Sequence, residues 1–375
     1  MKSIIRNECC ICESIDLKFF FEILKFPIFM GTTLDSQTED IFQDQKWVLC
    51  EKCGCLQLSE LIPLKILYSK QHSAGAVGEI WKNHHKMFAY FILADAPKSI
   101  CEIGSAHCEL ASIILEENSE TTYLIIEPNP LKVPKKARSI TGFIEENLNE
   151  LANYDAVVHS HVLEHIYNPR LFISDVAKSM KLNSIMYISF PNIAKLIDTR
   201  GTNSLNFEHT YFLHPDQLKS LLDIYGLKVL KEEKYLDHSY FFKVLKQSNV
   251  IAKQHILNIS HTADAFKEMW QELALFVHST NMLISKNPIP TFLFGAHIFS
   301  QGLISLGLDT KFINGVLDNS VDKQGERLYG SNLEVFSFET IRGVGSVRVI
   351  LKASHYQDEV RNQIISINPY AEIIE

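Results

Sequence analysis

Four cysteines near the start of the chain have the spacing of metal ligands. They form two pairs in which two residues separate the cysteines, Cys9 with Cys12 and Cys50 with Cys53. Each such pair presents two thiolates from one tight turn, and two pairs complete a tetrahedral zinc site. Four thiolates leave no open coordination position, so the predicted Zn²⁺ is structural. The alternative is a set of buried free cysteines.

Acidic and imidazole side chains occur together at two places further along the chain. Glu208 is followed directly by His209 in a segment that precedes a helix, and His165 follows a short apolar strand. An imidazole with an unperturbed pKa near ~6.5 can accept a proton, and a carboxylate beside it can orient it and raise its basicity. The alternatives are a hydrogen-bonded loop pair at 208–209 and a helix-start residue at His165.

The segment 98–128 predicts the elements that would position such groups. An apolar strand at 99–103 ends at Gly104, a helix with apolar spacing covers 109–117, and a second buried-type strand at 123–126 ends in Glu127. A strand, glycine turn, helix and strand form the first half of a doubly wound α/β fold, whose ligand lies beyond the carboxyl ends of the strands. The acid at the end of the second strand can accept both hydroxyls of a ribose. A βαβ unit without a nucleotide is the alternative.

The remaining pattern predicts how the chain is divided into domains. Around that unit we predict a helix at 80–93, a third strand with its exit at 141–147, strands at 156–160 and 185–190, and a helix at 215–225. A long helical stretch at 250–285 then precedes strands at 290–294, 312–317 and 347–351, which indicate a second α/β unit. The predicted parts are a zinc-binding module at 1–70, the central domain at 71–246, a helical connector at 247–287 and a C-terminal Rossmann-like α/β domain at 288–375.

Length and composition exclude several classes of protein. A chain of 375 residues is too long for one ordinary core. Its net charge of −8 argues against nucleic acid as the main partner, and no apolar run approaches the ~20 residues of a membrane span. The first ten residues lack the layout of a signal peptide, so we expect a cytoplasmic protein with no membrane partner.

The central domain resembles the class I S-adenosylmethionine (SAM) methyltransferases. The resemblance rests on the Glu-Ile-Gly turn at 102–104, the acid that ends the second strand, the Tyr-Asp pair at 154–155 and the Val-Leu-Glu-His run at 162–165. It implies a Rossmann-like methyltransferase fold with SAM as cofactor. The residues that it implies as SAM-binding are Glu102, Gly104, Ser105, Glu127, Pro128, Asn147, Ser160 and His161. Glu145 and Glu146 remain alternatives to Asn147 for the contact with adenine.

Nearly the whole chain resembles the sugar C-methyltransferases that act on nucleotide-linked keto-sugars. The resemblance rests on the paired Cys-x-x-Cys motifs, the Leu-Glu-His run at 163–165, Glu208 with His209, and Gly295-Ala296 in the C-terminal unit. It implies that His209 removes the proton next to the ketone, with Glu208 as its partner and His165 as a second candidate. It also implies a sugar-nucleotide substrate in surface-polysaccharide or secondary-metabolite biosynthesis. We expect a monomer or homodimer.

Two other functions remain open from the sequence. The same scaffold would serve an O- or N-methyl transfer to a sugar or a small metabolite, because His209 could equally act on a hydroxyl. A non-catalytic binding protein that retains the fold is the second alternative. The turn after the first strand favours it slightly, because it has one glycine, Gly104, where nucleotide-binding turns usually have two or three.

Overall fold

The computed structural model describes residues 3–69, 79–198, 200, 205–248, 261–353 and 356–375. The start of the predicted central domain, at 71–78, and the first part of the helical stretch predicted from residue 250 lie outside these ranges. Within them, no helix combines the length and the apolar character that crossing a membrane requires.

The N-terminal module is built mainly from antiparallel strands. Its elements are β1 (Ile4–Ile5), β2 (Leu17–Pro27), β3 (Thr32–Thr33), β4 (Phe42–Cys50), β5 (Leu56–Leu58), β6 (Glu60–Leu61) and the short helix α1 (Leu64–Leu67). Strands β2, β4 and β5 form one sheet, and β1 pairs with β6. The fully buried Trp47 on β4 anchors this sheet, and its ring is stacked on Phe212 with centroids 4.9 Å apart.

The central domain is a seven-stranded sheet with helices on both faces. Its elements are α2 (Glu79–Leu93), β7 (Ser99–Ile103), α3 (Glu109–Glu117), β8 (Thr122–Glu127), β9 (Ala137–Thr141), β10 (Ala156–Ser160), α4 (Pro169–Ser179), β11 (Ile185–Pro191), α5 (Ile193–Asp198), β12 (Tyr211–Phe212), α6 (Pro215–Ile224), β13 (Leu227–Tyr235) and β14 (Ser239–Lys246). The strand order is β13-β14-β11-β10-β7-β8-β9, and β14 is antiparallel to β11. Strand β12 is not part of this sheet; it pairs with β5 of the N-terminal module.

The order of the strands in this sheet indicates where a ligand can bind. From β7 the chain first adds β8 and β9 on one side and then β10 and β11 on the other, all parallel. In such sheets ligands bind outside the carboxyl ends of the strands at the point where the direction of addition reverses. The reversal lies between β7 and β10, so the loops after these strands border the candidate site.

The sequence predicted most of these elements, but the third strand was misplaced. It was predicted within 141–147, whereas β9 covers Ala137–Thr141 and residues Ile144–Glu146 form a 3₁₀ turn. Strand β9 lies at the edge of the sheet and none of its residues is buried. It therefore lacks the apolar run by which a buried parallel strand is recognised.

The C-terminal part forms the predicted second α/β unit. After helix α7 (His261–Lys286) its elements are β15 (Thr291–Phe294), α8 (Ile298–Ser305), β16 (Gly315–Leu317), β17 (Arg327–Leu328), β18 (Val335–Phe336), β19 (Val347–Ile350), α9 (Gln357–Ile367) and β20 (Ala371–Ile374). A parallel sheet has the order β18-β16-β15-β19-β20. The unit contacts the N-terminal module, because β17 pairs with β3 and Arg327 forms an ion pair of 2.7 Å with Asp40.

Candidate active site

The turn after β7 closes against the loop after β10. Gly104 has φ +73°, and a Cβ atom there would lie 2.5 Å from Cγ2 of Val162. A side chain at this position would both strain the backbone and collide with the neighbouring loop. The glycine therefore allows the two loops that border the crevice to touch.

Two acids support this turn in different ways. Glu127, at the end of β8, accepts hydrogen bonds from the backbone N–H of Ser105 at 2.8 Å and of Asn129 at 2.9 Å, and it remains partly exposed. Glu102 is buried and accepts a hydrogen bond of 2.9 Å from the hydroxyl of Tyr123. Burial raises the pKa of Glu102 to about 7. Glu127 is thus the acid that a ribose can reach, whereas Glu102 lies beneath the turn.

The segment predicted to reach adenine forms a short turn at the rim of the crevice. Glu145 and Glu146 are not buried, and the side-chain amide of Asn147 donates a hydrogen bond of 2.8 Å to the carbonyl of Phe143. The amide of Asn147 therefore stabilises its own turn. All three residues remain candidates for an adenine contact, as does the partly buried Pro128 for a contact on the ribose side.

The end of β10 carries the next predicted ligands. The hydroxyl of Ser160 is buried and has no hydrogen-bond partner among the described residues. His161 adopts φ 52°, and its Nδ1 lies 3.1 Å from Oε1 of Glu164. Because a carboxylate only accepts hydrogen bonds, this contact places the hydrogen on Nδ1. The spacing of three residues in the His-Val-Leu-Glu sequence is the signal that predicts such a pair.

Two histidines predicted to act as bases come together from separate loops. The rings of His165 and His209 meet edge to face with centroids 4.9 Å apart. Oε2 of Glu208 lies 3.5 Å from Nδ1 of His165, without the geometry of a hydrogen bond. The sequence predicted Glu208 as the partner of His209, but the structure brings this carboxylate to His165. Adjacent residues in a loop direct their side chains differently, so adjacency did not fix the pairing.

Burial sets the protonation states of this cluster. It lowers the pKa of His165 to about 4 and also lowers the pKa of His209. Both imidazoles are therefore neutral at neutral pH, and each keeps a lone pair that can accept a proton. Burial raises the pKa of Glu208 to about 7. The cluster is thus a neutral proton-accepting pair beside a carboxyl group that titrates near neutrality.

Asn206 fixes the backbone of the loop that carries Glu208 and His209. Its side-chain oxygen accepts hydrogen bonds from the N–H groups of both residues, at 2.8 and 2.7 Å. The asparagine thus has a structural role in this loop. Thr210, which follows His209, is held by Arg6, whose Nη1 donates to the Thr210 carbonyl at 3.0 Å.

We expect replacement of Asn206 to impair turnover more than stability. In Asn206→Ala both N–H groups lose their acceptor, which costs about 0.5–1.5 kcal/mol per hydrogen bond and frees the loop. Turnover of Asn206→Ala should fall by about 10²-fold, as a 1 Å displacement of catalytic groups can cause. Steady-state kinetics and thermal unfolding will measure both effects. Asn206→Asp keeps the acceptor oxygen and should restore most of the activity; equal loss in both variants would contradict this role.

Tyr68 is a neighbour of the site that the sequence did not reveal. Burial raises its pKa, and so does the negative charge of Glu208, Glu127 and Glu164. Tyr68 follows α1 in no recognisable motif, so only the folded arrangement of the N-terminal module against the central domain identifies it.

The four cysteines predicted as metal ligands lie together in the N-terminal module. Their sulfur atoms all lie within 4.8 Å of one another, and the Cys9–Cys53 and Cys12–Cys50 separations are both 3.5 Å. Four sulfurs at about 2.3 Å from a tetrahedral ion would be separated by about 3.8 Å. The arrangement therefore fits a tetrahedral metal ion.

The cysteine cluster is connected to the loop that carries His209. The side-chain amide of Gln217, on α6, donates a hydrogen bond of 2.7 Å to the carbonyl of Cys53. Strand β12, which begins two residues after His209, is the edge strand of the N-terminal sheet and pairs Tyr211 with Gln57. The N-terminal module thus anchors one side of the candidate active site.

Known proteins similar to this chain are methyltransferases. Residues 76–232 match a family described as "Methyltransferase domain". The ubiquinone biosynthesis O-methyltransferase of Photobacterium profundum is 24% identical over 190 residues, which cover 44% of this chain and 71% of that protein. An O-methyltransferase family protein from Burkholderia thailandensis has a TM-score of 0.38 at 10% identity, over 45% of this chain and 57% of its own. Human N-acetylserotonin methyltransferase in complex with SAM has a TM-score of 0.38 at 11% identity, over 45% and 53%. The chain thus spans little more than half the length of these two structures.

Proposed function

We propose that this SAM-dependent methyltransferase transfers the methyl group to a carbon atom of a nucleotide-linked keto-sugar. The observation that supports the proposal is the pair of neutral imidazoles, His165 and His209, at the carboxyl edge of the sheet with Glu208 beside them. A carbon next to a ketone needs a base to remove its proton, and a neutral imidazole is suited to that step. The Cys-x-x-Cys pairs and the C-terminal α/β unit support the same assignment through the resemblance described above.

In the proposed reaction His209 accepts the proton from the carbon next to the ketone. The C–H electron pair moves into an enolate, whose carbon then forms the new bond to the methyl group. When bound, SAM supplies that methyl group and retains the electron pair of the broken S–C bond on its sulfur. Ser105 and Glu127, at the turn after β7, are the residues that would hold it. Preorganised positioning of the two reactants contributes much of the rate.

Glu208 would stabilise the positive charge that develops on the imidazole pair. The pKa of His165 is lowered to about 4 from an ordinary value of about 6.5. Protonation of this imidazole therefore costs about 3 kcal/mol more than protonation of an ordinary histidine. Opposite charges at about 4 Å attract by about 4 kcal/mol at an effective dielectric constant of 20. An ionised Glu208, 3.5 Å from His165, therefore offsets the cost of charging the pair.

This role predicts a pH dependence. Because burial raises the pKa of Glu208 to about 7, its ionised form is lost as pH falls through that value. We expect kcat/KM to decrease below about pH 7 and to flatten above it. Glu208→Gln should lower kcat/KM at high pH and remove the decrease at low pH, whereas Glu120→Gln, at an exposed acid before β8, should leave the profile unchanged. If kcat/KM of Glu208→Gln still decreased in the same way as the pH falls, the assignment would be contradicted.

Isotope exchange separates carbon methylation from the alternative. The enzyme would be incubated in D₂O with a nucleoside-diphosphate 4-keto-6-deoxyhexose and S-adenosylhomocysteine, with no methyl donor. We expect deuterium to enter the carbon next to the ketone, and the exchange to disappear in His209→Ala. Methylation of that sugar without exchange would contradict proton removal from carbon.

Transfer to oxygen or nitrogen is the second candidate function. The relative from Photobacterium profundum is named as an O-methyltransferase, and a neutral His209 would serve a hydroxyl as well as a carbon. Mass spectrometry of the product after acid hydrolysis distinguishes an added C-methyl branch from a methyl ether. The matched methyltransferase domain favours an enzyme over the non-catalytic binding protein considered above.

We also propose that the four cysteines bind one structural Zn²⁺. The support is the mutual sulfur distances, which suit a tetrahedral ion, and the thiolate chemistry, which suits zinc. With four protein ligands the ion has no open position, so it would act by holding the N-terminal sheet and, through β12, the loop of His209.

A further inference from the structure

A second group of candidate metal ligands lies at the loop that follows β10. It consists of His84 on α2, His161 after β10 and His238 in the turn between β13 and β14. One ring nitrogen from each residue lies within 4.8 Å of one from each of the others. Three separate elements therefore direct imidazoles to one point, outside the cysteine cluster and outside the His165–His209 pair.

The distances between the rings suit coordination of one ion. The ring centroids are 5.1 Å apart for His84 and His161, 5.4 Å for His84 and His238, and 5.5 Å for His161 and His238. Imidazole nitrogens at about 2.0–2.1 Å from a tetrahedral zinc ion place the ring centres about 5 Å apart. The three nearly equal separations match this arrangement.

The outer contacts of two of these rings are those of metal ligands. A ligating histidine usually donates its other ring N–H to a carboxylate or another oxygen. His161 does so to Glu164 at 3.1 Å, and Nε2 of His84 lies 2.7 Å from the hydroxyl of Ser189. Nδ1 of His84 is buried and has no hydrogen-bond partner among the described residues. Such an orphan nitrogen in a fully buried imidazole is costly unless a ligand satisfies it.

A hydrogen-bonded histidine cluster without a metal leaves one buried nitrogen, Nδ1 of His84, unexplained. The hydroxyl of Ser239 lies 2.9 Å from Nε2 of His161 and 2.6 Å from Nδ1 of His238. This hydroxyl can donate its hydrogen to Nε2 of His161 and accept one from Nδ1 of His238, so both contacts can form without an ion. They do not involve Nδ1 of His84, which stays without a hydrogen-bond partner among the described residues. The ring of Trp81 packs against the cluster, with its centroid 4.7 Å from His161 and 4.6 Å from His238. His84 is thus buried, whereas His161 and His238 remain partly exposed.

We propose that His84, His161 and His238 bind a divalent transition-metal ion such as Zn²⁺. Neutral imidazoles suit zinc and its neighbours in the first transition series. Three protein ligands leave one coordination position for an oxygen donor, either water or an oxygen of the substrate. The ion is connected to the proposed base pair through His161 and Glu164, since one ligand atom each of Glu164, His165 and His209 also lies within 4.8 Å of the others.

Metal content of the full-length protein tests this site. The protein would be loaded with Zn²⁺, desalted and measured by atomic emission spectrometry against protein concentration. We expect His84→Ala and His238→Ala each to hold one zinc ion per chain fewer than the unaltered protein. His85→Ala removes the adjacent imidazole of the same helix, which does not belong to the group, and should keep the full content.

Cobalt substitution provides a second readout that is independent of the cysteine site. Co²⁺ bound by cysteines gives intense thiolate-to-metal absorption, whereas Co²⁺ bound by histidines gives only weak visible bands. His238→Ala should lose the weak bands and keep the thiolate absorption, and circular dichroism will establish that it is folded. Zinc content and visible bands in folded His238→Ala equal to those of the unaltered protein would overturn the proposal.

Discussion

Replacement of His209 by alanine should lower turnover by about 10²–10⁴-fold, the usual contribution of a positioned general base. The affinity for SAM should change little, because the residues proposed to hold it lie at the turn after β7 and at the end of β8. Methyl transfer measured by mass spectrometry and binding measured by calorimetry will separate the two effects. The exposed His278, on α7, provides a control whose replacement by alanine should alter neither quantity.

His165 distinguishes two versions of this mechanism. If His209 is the base and His165 shares its charge, His165→Ala should reduce turnover less than His209→Ala does. His165→Ala should also remove the decrease in kcat/KM at low pH that is assigned to Glu208. Near-normal turnover in His209→Ala together with complete loss in His165→Ala would contradict the assignment of His209 as the base. The edge-to-face contact of the two rings makes both variants informative.

Replacement of Cys53 by serine should abolish zinc binding at the cysteine cluster and most of the activity. Apparent binding free energies of structural zinc sites are about 10–16 kcal/mol, which is comparable to the net stability of about 5–15 kcal/mol of a typical domain. Loss of the ion should therefore loosen the N-terminal sheet and, through β12 and Gln217, displace the loop of His209. We expect turnover to fall by at least about 10²-fold.

Zinc content, limited proteolysis and kinetics will measure these effects. Cys10→Ser is the matched control, because Cys10 is buried next to the cluster but does not belong to the group of four. This variant should keep its zinc and its activity. If Cys53→Ser retained the activity of Cys10→Ser despite losing its zinc, the proposed link between the cysteine cluster and the active site would be wrong.

The central sheet was largely predictable from the sequence. Strand β7 at Ser99–Ile103 and helix α3 at Glu109–Glu117 have the predicted bounds, because buried parallel strands and amphipathic helices carry local patterns. The edge strand β9 has no buried residue and carries no such pattern, so its position was missed. Sequence patterns thus identify elements whose burial is regular.

Long-range pairing was not predictable in the same way. Strand β12 joins the N-terminal sheet through Tyr211 and Gln57, which no local pattern connects. The contact of Glu208 with His165 depends on the same arrangement, as does the position of Tyr68. The sequence therefore identified most chemical groups of the candidate site, whereas their partners depend on how the N-terminal module packs on the central domain.

The most direct test of the account is a calorimetric titration of S-adenosylhomocysteine into the unaltered protein, Glu127→Gln and His209→Ala. We expect one bound ligand per chain and unchanged affinity in His209→Ala. In Glu127→Gln the binding free energy should weaken by about 1.5–3 kcal/mol, the value of a hydrogen bond to a charged group. Absence of binding to the unaltered protein, or full affinity in Glu127→Gln, would contradict the placement of the cofactor at the carboxyl ends of β7, β8 and β10.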